Sequence, residues 1–242
     1  MEHLEGRQSV LSALRARHRR FREILLRHGI HEQQVREVLD LAAQAGVAVR
    51  YAPAAELDAL AHGATHGGIL AVCGPKPRAT GEELIVLLDS LRAPPLLLLL
   101  EGVDDARNLG FVLRSAEALG AHAVLIKKHL WDFDPIEIAR PSGGAFERLP
   151  LVQFEDVATL ESLKRRGIKL IGCIAGVKRS IWDTDLSGPV LLAIGGEKRG
   201  LSGAVRSICD SFATIPTTQD ASLALTHAAS IVLAEASRQR RG

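Results

Sequence analysis

Apolar residues recur along this chain in two rhythms, and the switching between them sets the expected architecture. In the first 75 residues, Val10, Leu11 and Leu14 are spaced for one face of a helix. A second helix is predicted from His31 to Ala45, ended by Gly46. The segment 47–49 reads as a short strand. A helix from Leu84 to Leu91 then leads to Pro94-Pro95 and the apolar strand Leu96 to Leu100. A strand that is apolar at every position is buried on both faces, as in a parallel sheet flanked by helices. Strands at 121–126, 168–174 and 190–194, with amphipathic helices near 107–119, 155–166 and 221–238, continue the alternation.

The expected fold class is therefore α/β. A small N-terminal α/β domain occupies residues 1–75 and a larger parallel-sheet domain occupies 94–242. A linker at 76–93 separates them, opened by two prolines and two glycines between Gly74 and Gly81, which neither helix nor strand tolerates well.

A content of 47% hydrophobic and 24% charged residues is that of a folded globular protein and excludes a disordered or fibrous chain. The N-terminal MEHLEGRQ lacks a leader pattern, and the run Leu96 to Leu100 is too short for a bilayer, so a cytoplasmic location with no membrane partner is expected. Cys73, Cys173 and Cys209 are widely spaced and read as buried structural thiols, not as a disulfide framework or a zinc cluster. His62 and His66 lack a third ligand, so no metal is expected. Net charge is only +2, yet Arg15, Arg17, Arg19, Arg20, Arg22 and Arg27 crowd one stretch, and Arg238, Arg240 and Arg241 end the chain. Such local patches suit phosphates, and equally suit a solvated helix face.

In an open parallel sheet, ligands bind beyond the carboxyl ends of the strands, which singles out three segments. The first, Glu101 to Ala116, is a polar turn opening a helix that carries Asn108, Phe111 and Arg114. A planar guanidinium there suits phosphate or oxyanion recognition. The same spacing also fits a helix cap at Asn108 and a surface ion pair for Arg114. The second, Ile194 to Ser202, has a phosphate-loop outline with Gly195, Gly196 and Gly200, but Leu201 stands where a nucleotide-binding lysine belongs, which disfavours an ATPase or GTPase. Its glycines suit close backbone approach to a small ligand, with Glu197 fixing loop or ligand, or simply a turn. The third, Ile215 to His227, is a short strand, a loop and a helix that Ser222 could cap. No GxGxxG follows the first strand of the sheet, so a dinucleotide oxidoreductase has little support.

At these three segments the chain resembles the SpoU branch of the knotted SPOUT methyltransferases, the TrmH-like RNA ribose methyltransferases. The family's Asn-x-Gly and Arg-x-Ala are matched by Asn108, Gly110, Arg114 and Ala116. Its Gly-x-Glu and Gly-Leu-Ser are matched by Gly195, Glu197, Gly200, Leu201 and Ser202. Its Ile-Pro and Ser-Leu are matched by Ile215, Pro216, Ser222 and Leu223. Gly6-Arg7-Gln8-Ser9-Val10 and His66-Gly67-Gly68-Ile69 match the ends of the small domain, like ribosomal protein L30e, that some members carry. The resemblance implies a trefoil knot in the C-terminal chain, S-adenosylmethionine as cofactor, and transfer of its methyl to a ribose 2′-hydroxyl of RNA, ribosomal RNA ahead of transfer RNA and not DNA. It implies Arg114, Asn108, Glu197 and Ser222 as catalytic residues. Gly195, Gly196, Gly200, Ile215 and Leu223 would form the cofactor pocket, each completed by a partner in a homodimer. Thr217 and Ala224 stand where the family has Met and Asn. These two departures also fit a silent knotted RNA-binding or ribosome-assembly factor.

Overall fold

The computed structural model describes residues 1–62, 66–196, 198–218 and 221–241, which fold as two units. The first holds residues 1–77 with 134–148, and the second holds 78–133 with 149–242.

In the first unit, β1 (Glu2–Glu5), α1 (Arg7–Ala16), β2 (Phe21–Arg27), α2 (Glu32–Gln44), β3 (Val49–Ala52), α3 (Ala54–Leu60) and β4 (Ile69–Cys73) follow in order. They build a four-stranded sheet ordered β1-β4-β2-β3, antiparallel except for the β2–β3 pair. Ile24 and Leu26 point to the face covered by Val10, Leu14, Val35 and Val38 of α1 and α2, while Leu25 meets Leu57 of α3 on the other. β3 begins two residues later than the apolar pattern suggests. Gly46, at φ 66°, turns the chain out of α2, and the N–H of Val47 is spent on the carbonyl of Ala42, so pairing starts only at Val49.

The second unit opens with α4 (Gly81–Ser90), which lies inside the stretch expected as a linker. Thr80 and Glu83 form a reciprocal capping box, and Leu84 and Leu88 are buried. It continues through β5 (Leu96–Glu101), α5 (Ala106–Ala118) and β6 (Ala123–Lys127). The chain then contributes α6 (Pro135–Ala139) and α7 (Ala145–Arg148) to the first unit and returns as β7 (Leu151–Phe154). α8 (Val157–Arg165), β8 (Lys169–Cys173), β9 (Val190–Gly195), α9 (Gly203–Ile208), β10 (Ser211–Ala213) and α10 (Leu225–Gln239) complete it. The six strands are all parallel, ordered β10-β8-β9-β5-β6-β7. Leu97 and Leu99 of β5 join the core formed with α4, α8 and α9, while Leu96, Leu98 and Leu100 point to the opposite face, where α5 and α10 pack on each other. Ser115 and Ser230 are hydrogen bonded across those two helices at 2.8 Å.

Residues 134–148 are held to the first unit by charge as well as packing. Arg19 is fully buried, and its guanidinium donates to both oxygens of Glu147 at 2.8 and 2.9 Å, to the Gly74 carbonyl, and to Glu2. Burial opposes the Arg19 charge, but the bonds to Glu147 outweigh it and its proton affinity rises above the ordinary guanidinium value. No described helix is long and apolar enough to cross a membrane.

Candidate active site

Register places the site. β5 and β9 are adjacent and parallel, with Glu101 opposite Gly195, so the turns that follow them emerge side by side at the carboxyl edge of the sheet. The turn after β5 uses Gly102, at φ 72°, and then Asp105, whose carboxylate accepts from the N–H groups of Arg107 and Asn108 at 2.7 and 3.1 Å. Asp105 is thus the cap of α5, and Asn108 sits in its first turn, half-buried. Arg114 lies nearly two turns farther on, about 9 Å along the axis at 1.5 Å per residue, and is exposed beside Phe111. Among the described residues Arg114 makes no ion pair, and no hydrogen bond joins it to Asn108.

The loop after β9 is closed by backbone on backbone. A Cβ on Gly195 would lie 2.0 Å from the carbonyl carbon of Gly200, and one on Gly196 would lie 2.0 Å from the carbonyl oxygen of Gly102. Gly200, at φ 60°, turns the chain and donates its N–H to the Gly196 carbonyl at 2.8 Å. The space that Gly195 and Gly196 leave is therefore filled by the protein's own main chain. Their lack of a side chain permits this loop closure, the turn that the sequence pattern also allowed. Lys198 spans from the loop to Asp104 at 3.1 Å, and Glu197 lies outside the described residues.

Ser202 ends the loop and caps α9, accepting from the Val205 N–H. It also meets a residue that carried no weight in the sequence pattern. Glu101, 4% exposed, accepts the Ser202 N–H at 2.8 Å and its hydroxyl at 3.0 Å, and pairs with Lys127 at 2.7 Å. The available signal was a lone charge ending a run of five leucines.

The third segment departs from expectation at both ends. β10 stops at Ala213, and α10 starts at Leu225 with Ala224 as an N-cap that supplies no side-chain bond, so Ser222 does not cap it and stands exposed. β10 is the sheet's edge strand, whereas α10 packs on α5 and β9. Ile215 and Leu223, between them, are half-exposed, and residues 219 and 220 lie outside the described residues.

The basic clusters divide between structure and surface. Arg19 is buried, Arg15 pairs with Glu37, and Arg238 pairs with Glu235. Arg240 donates to the carbonyls of Pro94, Pro95, Leu186 and Gly188. Arg17, Arg20, Arg22 and Arg27 remain exposed in the first unit with no ion pair among the described residues. Only Cys73 of the three thiols is fully buried; burial pushes it and Cys209 up to about 11, and Cys173 up to about 12. His66 bonds Asp58, and His62 stands between Glu5 and Asp134.

Residues 95–234 match the SpoU rRNA Methylase family, and residues 3–79 match the RNA 2′-O ribose methyltransferase substrate binding family. The chain belongs to the SpoU rRNA methylase family. Within it, this SpoU chain is 34% identical over 244 residues to the 23S rRNA (guanosine-2′-O-)-methyltransferase RlmB of Pseudomonas putida, covering 100% of the chain and 98% of that protein. The Pseudomonas aeruginosa protein of the same name is also 34% identical, over 99% of the chain and 97% of its own length. The SpoU methyltransferase AviRb from Streptomyces viridochromogenes, solved in complex with the cofactor AdoMet, superposes with a TM-score of 0.81 at 27% identity, covering 99% of this chain and 90% of that one.

Proposed function

We propose that this protein transfers the methyl group of S-adenosylmethionine to a ribose 2′-hydroxyl of ribosomal RNA in the cytoplasm, with a guanosine of 23S rRNA the first substrate to test. The observation that carries the reading is the meeting of the Asn108 turn and the closed glycine loop at adjacent strand ends, in a chain that is related over its whole length to enzymes named for that reaction.

The residues present fit the cofactor. The half-exposed Ile215 and Leu223 offer apolar surface for an adenine, and the main chain of Gly195, Gly196 and Gly200 forms a closed loop at the carboxyl end of β9. When bound, S-adenosylmethionine supplies an electrophilic methyl on a sulfonium. Arg114 cannot act as a base while protonated, because a guanidinium has no acceptor. Its role is to orient the 2′-hydroxyl and stabilise the oxygen as charge develops on it, with Asn108, Glu197 and Ser222 positioning the nucleotide. The exposed Arg114 and Phe111 on one face of α5 suit a homodimer in which each copy completes the other's site. The chain from the β9 loop through α10 forms the knot in this reading. Residues 1–75 grip the RNA with Arg17, Arg20, Arg22 and Arg27.

Incubation of unmodified 23S rRNA with the full chain and tritiated S-adenosylmethionine tests the proposal. Label that survives in alkali-resistant dinucleotides supports it, since a 2′-O-methyl blocks hydrolysis of the adjacent phosphodiester. Cofactor binding without transfer to any RNA would replace it with a silent RNA-binding role.

A further inference from the structure

Glu101 is the most constrained charge at these strand ends. Its carboxylate is buried and takes three bonds, two from Ser202 and one from Lys127. Lys127 ends β6, is 31% exposed, and holds its ammonium 5.3 Å from the centre of the Phe154 ring. Burying a carboxylate costs free energy that partners only offset, and an apolar residue would fill this space without that cost. What the carboxylate adds is direction, because two charge-assisted bonds to one residue fix both its position and its orientation.

That residue is the end of the glycine loop. The loop's start is registered by Gly196 packed on Gly102, and its end by Ser202 bonded to Glu101, so two adjacent residues of the β5 turn hold both ends. We propose that Glu101 is a positioning residue for the cofactor site: through Ser202 it fixes the end of the loop that follows β9, and Lys127 holds its carboxylate in place. The inference rests on the reading of this loop as the cofactor loop.

Calorimetric titration of S-adenosylmethionine into the full chain, with steady-state transfer kinetics, tests it on Glu101→Gln, Ser202→Ala, Lys127→Met and the Glu101→Gln/Ser202→Ala pair. Glu101→Gln weakens cofactor binding about ten-fold or more, at one charge-assisted bond lost, and leaves the KM for RNA within about two-fold. The double variant is no weaker than Glu101→Gln alone, because both act through one contact. Lys127→Met gives a smaller loss in the same parameter. Leu84→Ala, which empties a buried position on α4, lowers thermal stability and leaves cofactor affinity unchanged below its transition, which separates positioning from general destabilisation. Should Glu101→Gln not fold, Ser202→Ala carries the test, with binding weakened about two- to five-fold. Wild-type binding with unchanged affinity in these variants, or additive losses in the double variant, overturns the inference alone. No binding by the wild-type chain overturns it together with the function it rests on.

Discussion

Three glycines in and just after one loop should respond to the same added methyl by different amounts, and the structure sets the order. At Gly196 the new Cβ falls 2.0 Å from the Gly102 carbonyl oxygen, well inside any tolerable contact, and both partners are main chain that cannot rotate away. Overpacking of this kind costs about 1–3 kcal/mol and moves backbone. At Gly200 nothing lies within 4 Å, and only the φ of 60° opposes a side chain, a cost of about 1–2 kcal/mol. At Gly203, the first residue of α9, there is open space and ordinary φ, so alanine stabilises by about 0.4–1 kcal/mol. Denaturant unfolding of the three alanine variants measures the stabilities, and S-adenosylmethionine titration reads the loop. Gly196→Ala should lose both stability and cofactor affinity, the latter about ten-fold at 1.4 kcal/mol per decade. Gly200→Ala should lie between, and Gly203→Ala should keep wild-type affinity. Equal behaviour of Gly196→Ala and Gly203→Ala would refute the closed loop.

Other consequences are as specific. Arg114→Ala should lower the transfer rate about a hundred- to a thousand-fold, as for loss of one donor to a developing oxyanion, while calorimetry finds cofactor affinity intact. Arg19→Met or Glu147→Gln alone should destabilise by about 3–5 kcal/mol in denaturant unfolding, because each strands a buried partner, and the Arg19→Met/Glu147→Met pair should recover most of it. Burial pushes Lys76, set against the Phe146 ring and the Glu147 carbonyl, down to about 8. Between that value and the ordinary lysine range the unfolded chain binds more protons, so this group adds stability as pH rises through the window and adds none below it. The difference in unfolding free energy between wild type and Lys76→Met, followed from pH 7 to 10.5, should therefore slope upward. The raised thiols should alkylate slowly at neutral pH compared with an unfolded control.

Much of the second unit was legible because its burial is extreme. Five leucines in β5 admit few environments, and the helices near 107–119 and 155–166 lie within about two residues of α5 and α8. The first unit was harder. β2 has Glu23 and Arg27 on either side of Ile24, Leu25 and Leu26, which hides its period, and β1 and β3 are only four residues long. Residues 134–148 fold into short helices among prolines and glycines, and their attachment to the first unit depends on Arg19, more than a hundred residues away. Linear clustering made the arginines look like two free patches, whereas burial removes Arg19 and ion pairs occupy Arg15 and Arg238. At the site, the motif spacing pointed to the turns after β5 and β9, which the sheet sets side by side. It could not show that Gly196 is filled by the main chain of Gly102 or that Glu101 is the anchor, since each depends on a partner distant in sequence, and it left open which of the neighbouring polar residues Asp105 and Asn108 caps α5.

Nucleoside mass spectrometry of 23S rRNA lacking its ribose methylations, digested after incubation with the protein and S-adenosylmethionine, reads the reaction itself. A new 2′-O-methyl nucleoside, guanosine first, should be formed by the wild type and at least a hundred-fold less by Arg114→Ala, as expected for about 3 kcal/mol of lost transition-state stabilisation. Methylation found only on a base, or equal product from both proteins, would contradict it.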